Sequence, residues 1–229
     1  MKVTLNVDGK PLESFIYNGV NYIVCPDKGE FEIQVALTND IPGITYRHPV
    51  TRKEVVISVD GKSVMTGKPA SSSDSGYIVT HSLTLPGWRL NDKEVAKFTF
   101  TDAATSYAGL TGEGTPGVVG VLMFDEKPVR KYADVLHTMD LEHSIDLSLC
   151  RTRGGSVGAG FGKASDFKTT EVAFARDNKP PEKYVAYYRT EKWLRENNIP
   201  IPVKPQMMDN PFPADSGCTP PPGWTKQRK

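Results

Sequence analysis

The sequence predicts an all-β protein: a β-sandwich or jelly-roll-like body with N-terminal hairpins and an extended proline-rich C-terminal arm. Short apolar runs with period-two alternation recur along the 229 residues, and Asp-Gly or Asn-Gly pairs separate several of them. Helical character is confined to one segment, near residues 190–197. We expect residues 1–40 to form the hairpins, residues 41–197 the sandwich body and residues 198–229 the arm.

The first forty residues predict β-hairpins. Asp8-Gly9 and Asn18-Gly19 are pairs that readily adopt the positive φ angles of two-residue hairpin turns. After Gly29, apolar residues at every second position indicate a strand with one buried face. The predicted strands of this region are residues 3–7, 15–17, 22–25 and 31–37.

The body shows the same alternation, interrupted by a polar loop at residues 70–76 and a glycine-rich loop at residues 109–117. Asp60-Gly61 is a third predicted hairpin turn. Between residues 135 and 149 the odd positions are apolar or histidine and most even ones polar, which indicates one long, bulged strand. The other predicted strands are residues 55–59, 63–66, 77–79, 83–85, 95–101, 118–124, 167–175 and 183–188.

Residues 190–197 form the predicted helix. Thr190 is a suitable N-cap, because a threonine hydroxyl accepts a hydrogen bond from the first turn of a helix. Pro200 prevents the helix from continuing. Trp193 and Leu194 are expected to anchor it to the sheet.

The composition excludes several function classes. The 28 Lys and Arg residues oppose 27 Asp and Glu residues, and a net charge of +1 provides no overall field for nucleic acid or an anionic membrane. No apolar run has signal-peptide or membrane-spanning length, so we expect a soluble protein made in the cytoplasm. Cys25, Cys150 and Cys218 are widely separated, which predicts free thiols.

Three motif matches fail as catalytic or nucleotide-binding sites. Residues 154–158 match the G-x-S-x-G nucleophile elbow, but all four histidines precede Ser156 and the following AGFGK is too glycine-rich to start a helix. We interpret this segment as a glycine loop or bulge. Residues 165–168 match S-x-x-K without its companion elements, and Gly162-Lys163 lacks the spacing of a P-loop. We expect no enzyme activity, no catalytic residues and no cofactor.

Two further candidates have structural explanations that we prefer. His137, Asp140, His143 and Asp146 offer metal ligands, but on a strand the histidines face one side of the sheet and the aspartates the other. Histidines that hydrogen-bond to the backbone are the simpler interpretation, so no metal site is predicted. Trp88 is expected to cap the sandwich core, with a ligand-stacking platform as the alternative.

Several segments of the body carry a resemblance. They are ISVDGKSVMTGKPA, GYIV, LPGWR, AKFTFTDAATSYAG, GVVGVLMFDE, SVGAGFG, TEVAFAR and YVAYYRTEKWLRENNIP. In these strings the chain resembles a family of uncharacterised bacterial and phage-encoded β-rich proteins, over residues 20–202. The resemblance implies a shared β fold and a link to phage virion structural proteins. It implies no activity, and it leaves the arm out.

The arm, residues 198–229, contains eight of the 18 prolines of the chain. Such a segment cannot supply helix or sheet hydrogen bonds of its own, so it is expected to become ordered by docking on another surface. A tail that lies on its own body is the alternative. Trp224 has no local core to receive it, which makes it the best candidate anchor. The predicted partner-binding residues are Pro211, Phe212, Pro213, Pro220, Pro221, Pro222 and Trp224.

Together these features predict a structural interaction protein. We expect a homo-oligomeric phage virion component, such as a capsid decoration or head-associated protein, that docks on a capsid or head protein through its body and arm. The alternative is a bacterial β-sandwich binding module that takes a small molecule or glycan at residues 71–75 and 109–117. A hydrolase with a site assembled from distant residues is the third hypothesis.

Overall fold

The computed structural model describes residues 1–37, 52–128 and 156–202. Two seven-stranded sheets dominate this part of the chain, which confirms the predicted all-β, sandwich-like fold. Its elements are β1 (Lys2–Val7), β2 (Lys10–Pro11), β3 (Ser14–Tyr17), β4 (Val20–Cys25), β5 (Gly29–Ala36), β6 (Lys53–Val59), β7 (Lys62–Ser63), β8 (Tyr77–Val79), β9 (Ser82–Leu85), β10 (Gly87–Arg89), β11 (Glu94–Asp102), a 3₁₀ helix (Ala103–Thr105), α1 (Tyr107–Thr111), β12 (Val118–Asp125), β13 (Val157–Asp166), β14 (Glu182–Thr190) and α2 (Glu191–Glu196).

The first sheet has the order β10-β11-β5-β1-β2, with β13 beside β11 and β9 beside β5. The second has the order β3-β4-β14-β12-β6-β7, with β8 beside β6. Among the described strands every pair is antiparallel except β4 with β14, which is parallel and places Tyr22 opposite Tyr187. Residues 1–37 supply strands to both sheets, so the predicted N-terminal hairpins are part of the body's own hydrogen-bonded framework.

The three predicted hairpin turns are confirmed. Both residues of each Asp-Gly or Asn-Gly pair have positive φ, with values of 50° and 73° at Asp8-Gly9 and 50° and 77° at Asn18-Gly19. Asp60-Gly61 has φ values of 54° and 80°. Two consecutive positive φ angles match the right-handed twist of the strands on either side, which is why these pairs close hairpins.

The core lies between the two sheets and follows the predicted alternation. Phe31, Ile33 and Val35 of β5 are buried, and the intervening residues are only half-buried. The ring of Phe31 stacks on that of Phe100 with 4.2 Å between centroids, so β5 and β11 are joined through aromatic contacts as well as hydrogen bonds. Val121 of β12 contributes to the same core from the opposite sheet.

Three sequence predictions are wrong in detail. Residues 167–175 are not a strand, because they cross from the end of β13 in the first sheet to the start of β14 in the second and cannot pair along their length. The predicted strand at residues 63–66 is reduced to Lys62–Ser63. The loop at residues 109–117 overlaps helix α1, because Ser106 caps the helix and Gly112 ends it with φ of 67°. The predicted strand at residues 135–149, with His137 and His143, lies outside the described residues.

The predicted helix is confirmed as α2. The Thr190 hydroxyl accepts a hydrogen bond from the backbone N–H of Trp193 at 3.2 Å. Leu194 is fully buried, and it packs with Tyr22 and Tyr187 on the outer face of the second sheet. The helix therefore covers one end of that face.

Candidate functional site

A shallow apolar groove, with a volume of about 40 Å³, lies on the outer face of the second sheet. We call it the outer groove. Strand β12 explains its floor, because Val119 and Val121 belong to the core while Val118, Gly120 and Leu122 alternate to the other side. Gly120 keeps the centre open, since a Cβ atom there would lie 2.6 Å from the Ser58 hydroxyl oxygen. Other lining residues are Val56, Ser58, Tyr184 and Val185.

The start of the arm lies beside the outer groove. The backbone N–H of Ile199 donates to the carbonyl of Leu194 at 2.9 Å, which folds the chain back over the end of α2. Ile199 and Ile201 then pack in the cluster that contains Val118 and Val185, and these two valines also line the groove. Residues 199–202, which we call the arm root, are therefore fixed next to an apolar surface.

The partner-binding residues predicted in the arm lie outside the described residues. They are Pro211, Phe212, Pro213, Pro220, Pro221, Pro222 and Trp224. The outer groove is not evident from the sequence, because Val118 and Leu122 belong to an unbroken apolar strand. Such a run indicates burial on both faces without showing what covers the second face.

A second cavity, the polar cleft, has a volume of about 900 Å³. It is bordered by β8, by the start of β6, by Arg89 at the end of β10 and by residues 167–174. Residues 167–175 form a strap across it. The backbone N–H groups of Phe167 and Thr169 donate to the carbonyls of Lys93 and Asp92, and Lys127 donates to Ala175 at the other end, so the strap is held at both ends.

Two buried donors of the polar cleft have no partner among the described residues: the Tyr77 hydroxyl and Nε of Arg89. Tyr77 is only 8% exposed, and its ring meets that of Phe167 edge to face at 5.9 Å. Burial raises the pKa of Tyr77 to about 12, although the positive charge of Arg89 acts in the opposite direction. The phenol therefore stays protonated and able to donate at neutral pH.

Residues 70–76 separate the two cavities. Ala70 and Ser71 line the outer groove, whereas Ser75 and Gly76 line the polar cleft. Arg176 holds this loop, since its guanidinium donates to the carbonyls of Ser72 and Asp74 and to the Glu54 carboxylate. Residues 71–75, predicted as a ligand-binding loop, thus contribute to the lining of both cavities. In the second predicted loop, residues 109–117, Thr115 lines the outer groove only.

A buried polar network closes one end of the sandwich. The fully buried Asp60 carboxylate accepts hydrogen bonds from the backbone N–H groups of Gly117 at 2.7 Å and Ala159 at 2.6 Å, and from the Tyr188 hydroxyl. Burial raises the pKa of Asp60 to about 6, partly opposed by these bonds. Arg189 nearby donates to the Gly117 and Tyr188 carbonyls. The Asp60 carboxylate thus joins the two sheets, which indicates a structural role, whereas Nε and Nη2 of Arg189 have no hydrogen-bond partner among the described residues.

The structure supports a structural interpretation of Ser156 and Trp88. Ser156 is followed by strand β13 and not by a helix, and a Cβ atom on Gly158 would lie 2.5 Å from that of Ser106, so glycine allows close packing there. Trp88 is 2% exposed and its indole N–H donates to the Gly160 carbonyl. Trp88 is therefore a core residue, as predicted, and not a ligand-stacking platform. Cys25 is a free, buried thiol, while Cys150 and Cys218 lie outside the described residues.

Within the described ranges no three His, Cys, Asp or Glu side chains are grouped closely enough to hold a metal ion. No helix in this part of the chain has the length and apolar character needed to cross a membrane. Comparison with protein-family models, with curated proteins and with solved structures finds no match. The function is therefore inferred from the two cavities and the arm root.

Proposed function

We propose that this protein is a structural interaction protein that docks on a larger assembly through its body and its C-terminal arm. The position of the arm root beside the outer groove carries the proposal, because it brings an apolar surface and the start of a proline-rich segment to the same face. We propose a phage virion component of the capsid decoration or head-associated kind, for which the resemblance of residues 20–202 is the support.

The physical reason is contact area. The arm carries Phe212 and Trp224 among its prolines, and an extended proline-rich segment loses less conformational freedom on docking than a flexible one. A buried tryptophan anchor contributes about 2 kcal/mol or more at well-packed interfaces. In a symmetric assembly, many copies with modest individual contacts give high total avidity. A homo-oligomer bound to a capsid or head protein fits this design.

Truncation tests the proposal. Removal of residues 203–229 leaves every described strand and the arm root in place, so the body should keep its far-ultraviolet circular dichroism and its melting temperature. Retention on native particles, measured by sedimentation and by electron microscopy of the purified assembly, should be lost. Trp224→Ala should reproduce part of this loss, and Gln227→Ala in the same arm is the matched control.

Three outcomes contradict the proposal. If the truncated protein unfolds, the arm belongs to its own core. If it folds and sediments with particles as the full chain does, the arm is not the contact. A native preparation in which the protein is found only as a free monomer also overturns the assembly role.

A further inference from the structure

We propose that the polar cleft binds a neutral saccharide, with Tyr77 and Arg89 as hydrogen-bond donors at its floor. This inference goes beyond the assembly role and does not depend on the arm. It rests on three features of the cleft: donors without partners, balanced charge, and half-buried phenyl rings beside hydroxyl groups.

The unpartnered donors are the first feature. Tyr77 is 92% buried, yet its hydroxyl has no hydrogen-bond partner in the described part of the chain, and Nε of Arg89 is in the same situation. A phenylalanine would fill the space of Tyr77 without the cost of an unpaired hydroxyl. A ligand oxygen that accepts from either group would satisfy that donor.

The charge of the cleft favours an uncharged ligand. Its lining contains three cationic side chains and three anionic ones: Arg52, Arg89, Lys168, Glu54, Asp92 and Glu171. Several are already paired, since Arg89 bonds to Asp92, and Arg52 and Glu54 bond to Glu126 and Arg176 outside the lining. A phosphate or polycarboxylate would meet a lining with no excess of positive charge, whereas a neutral molecule leaves the existing ion pairs intact.

The remaining lining matches the alternating surface of a sugar. Phe167 and Phe174 are half-buried and add apolar carbon to the lining, while Thr66, Ser75 and Thr169 add hydroxyl groups that donate and accept. Pockets for drug-sized molecules enclose roughly 300–1,000 Å³. A cleft of about 900 Å³ lies at the upper end of that range and suits an oligosaccharide of a few sugar units.

Access to the floor requires side-chain movement, because the Tyr77 oxygen and Arg89 Nε are shielded from water. Met65 lines the cleft, and methionine is unbranched and adapts readily to a new shape. The strap is held by hydrogen bonds at residues 167, 169, 173 and 175, and these bonds do not involve Met65, so the Met65 side chain can shift while they stay.

Titration of the full-length protein with neutral tri- to hexasaccharides tests this proposal. The probes are malto-, cello-, xylo-, manno- and chito-oligosaccharides, with isothermal calorimetry and amide chemical shifts as readouts. We expect saturable binding by at least one series, weakened about tenfold in Tyr77→Phe through loss of one hydrogen bond. Tyr77→Phe should melt at the same temperature or higher, since it removes a buried unpaired hydroxyl. Tyr107→Phe, outside the cleft lining, should bind as the wild type does.

Three results overturn the proposal: no saturable binding by any of the five series, binding that Tyr77→Phe leaves unchanged, or preferential binding of inorganic phosphate or citrate. An ordered water between Tyr77 and Arg89 in a crystal soaked with the best-binding sugar, with no sugar density in the cleft, also contradicts it. Because the arm truncation and the sugar titration use different variants, each proposal can fail alone.

Discussion

The Asp60 carboxylate joins the two sheets at a single residue. One of its oxygens accepts from Gly117, Val118 and Tyr188 of the second-sheet side, and the other accepts from Ala159 in β13. The sequence predicts the Asp60-Gly61 turn correctly. It gives no sign of the carboxylate's role, because the partners lie 57 and 99 positions away and meet it only in the folded chain.

The free energy of unfolding should decrease as the pH rises from about 4 to about 6. Burial raises the pKa of Asp60 to about 6, whereas an aspartate in an unfolded chain titrates near about 3.9. In this window the folded state binds more protons than the unfolded state, so deprotonation costs up to about 3 kcal/mol. Glu126 and Asp177, whose pKa values are lowered by Arg52 and Lys179, act in the opposite direction at lower pH.

Tyr188→Phe isolates this effect. The Tyr188 hydroxyl donates to Asp60 and lowers the pKa of that carboxyl, so its loss should destabilise the ionised form by about 1–3 kcal/mol. The destabilisation should be larger at pH 8 than at pH 5, as measured by urea unfolding. Tyr184→Phe, on the same strand but without a bond to Asp60, is the control. Equal destabilisation by Tyr188→Phe at both pH values would contradict the assignment.

At the level of elements, the sequence predicts correctly those features that neighbouring residues determine, namely helix ends and hairpin turns. The cap, the helix length and the stop at α2 all follow from neighbouring residues, and so do the three hairpin turns. The strap at residues 167–175 does not. Its residues have the composition of a strand, but the two strands it connects belong to different sheets, and sequence alone does not assign strands to sheets.

Thr190→Ala should destabilise the protein by about 1 kcal/mol, because the Trp193 N–H loses its acceptor at the first turn of α2. Thr190→Ser keeps a hydroxyl at the cap and should retain most of the stability. Urea unfolding curves of the two variants measure the difference. If both changes cost the same, packing of the buried Thr190 methyl group and not the cap is responsible.

At the scale of the whole molecule, the sequence predicted the fold class and most strands, yet it separated residues 1–40 from the body. The structure places β5 of this region between β1 and β11, and it places β4 between β3 and β14. Hairpins are local and visible in sequence, whereas the neighbours of a hairpin are set by contacts between distant segments. The polar cleft escaped prediction for the same reason, since Tyr77 and Arg89 come from strands of different sheets.

Removal of residues 1–37 should abolish folding, in contrast to removal of residues 203–229. The deletion opens both sheets and takes Leu5, Ile23, Phe31 and Ile33 from the core, each of which is at most 2% exposed. Circular dichroism and proton chemical-shift dispersion should show an unfolded chain. A folded, cooperative fragment 38–229 would instead support an independent N-terminal domain.

The parallel pairing of β4 with β14 also limits when the second sheet can form during synthesis on the ribosome. β4 cannot pair with β14 until Tyr187, the partner of Tyr22, has been synthesised. Synthesis of the about 160 intervening residues takes roughly 10–30 s. During that time β4 has β3 as its described partner, and its other edge is unpaired. Nascent chains on the same messenger RNA could pair through this unpaired edge of β4 and aggregate. We therefore expect chaperone binding to residues 1–25 to increase the yield of folded protein at high expression.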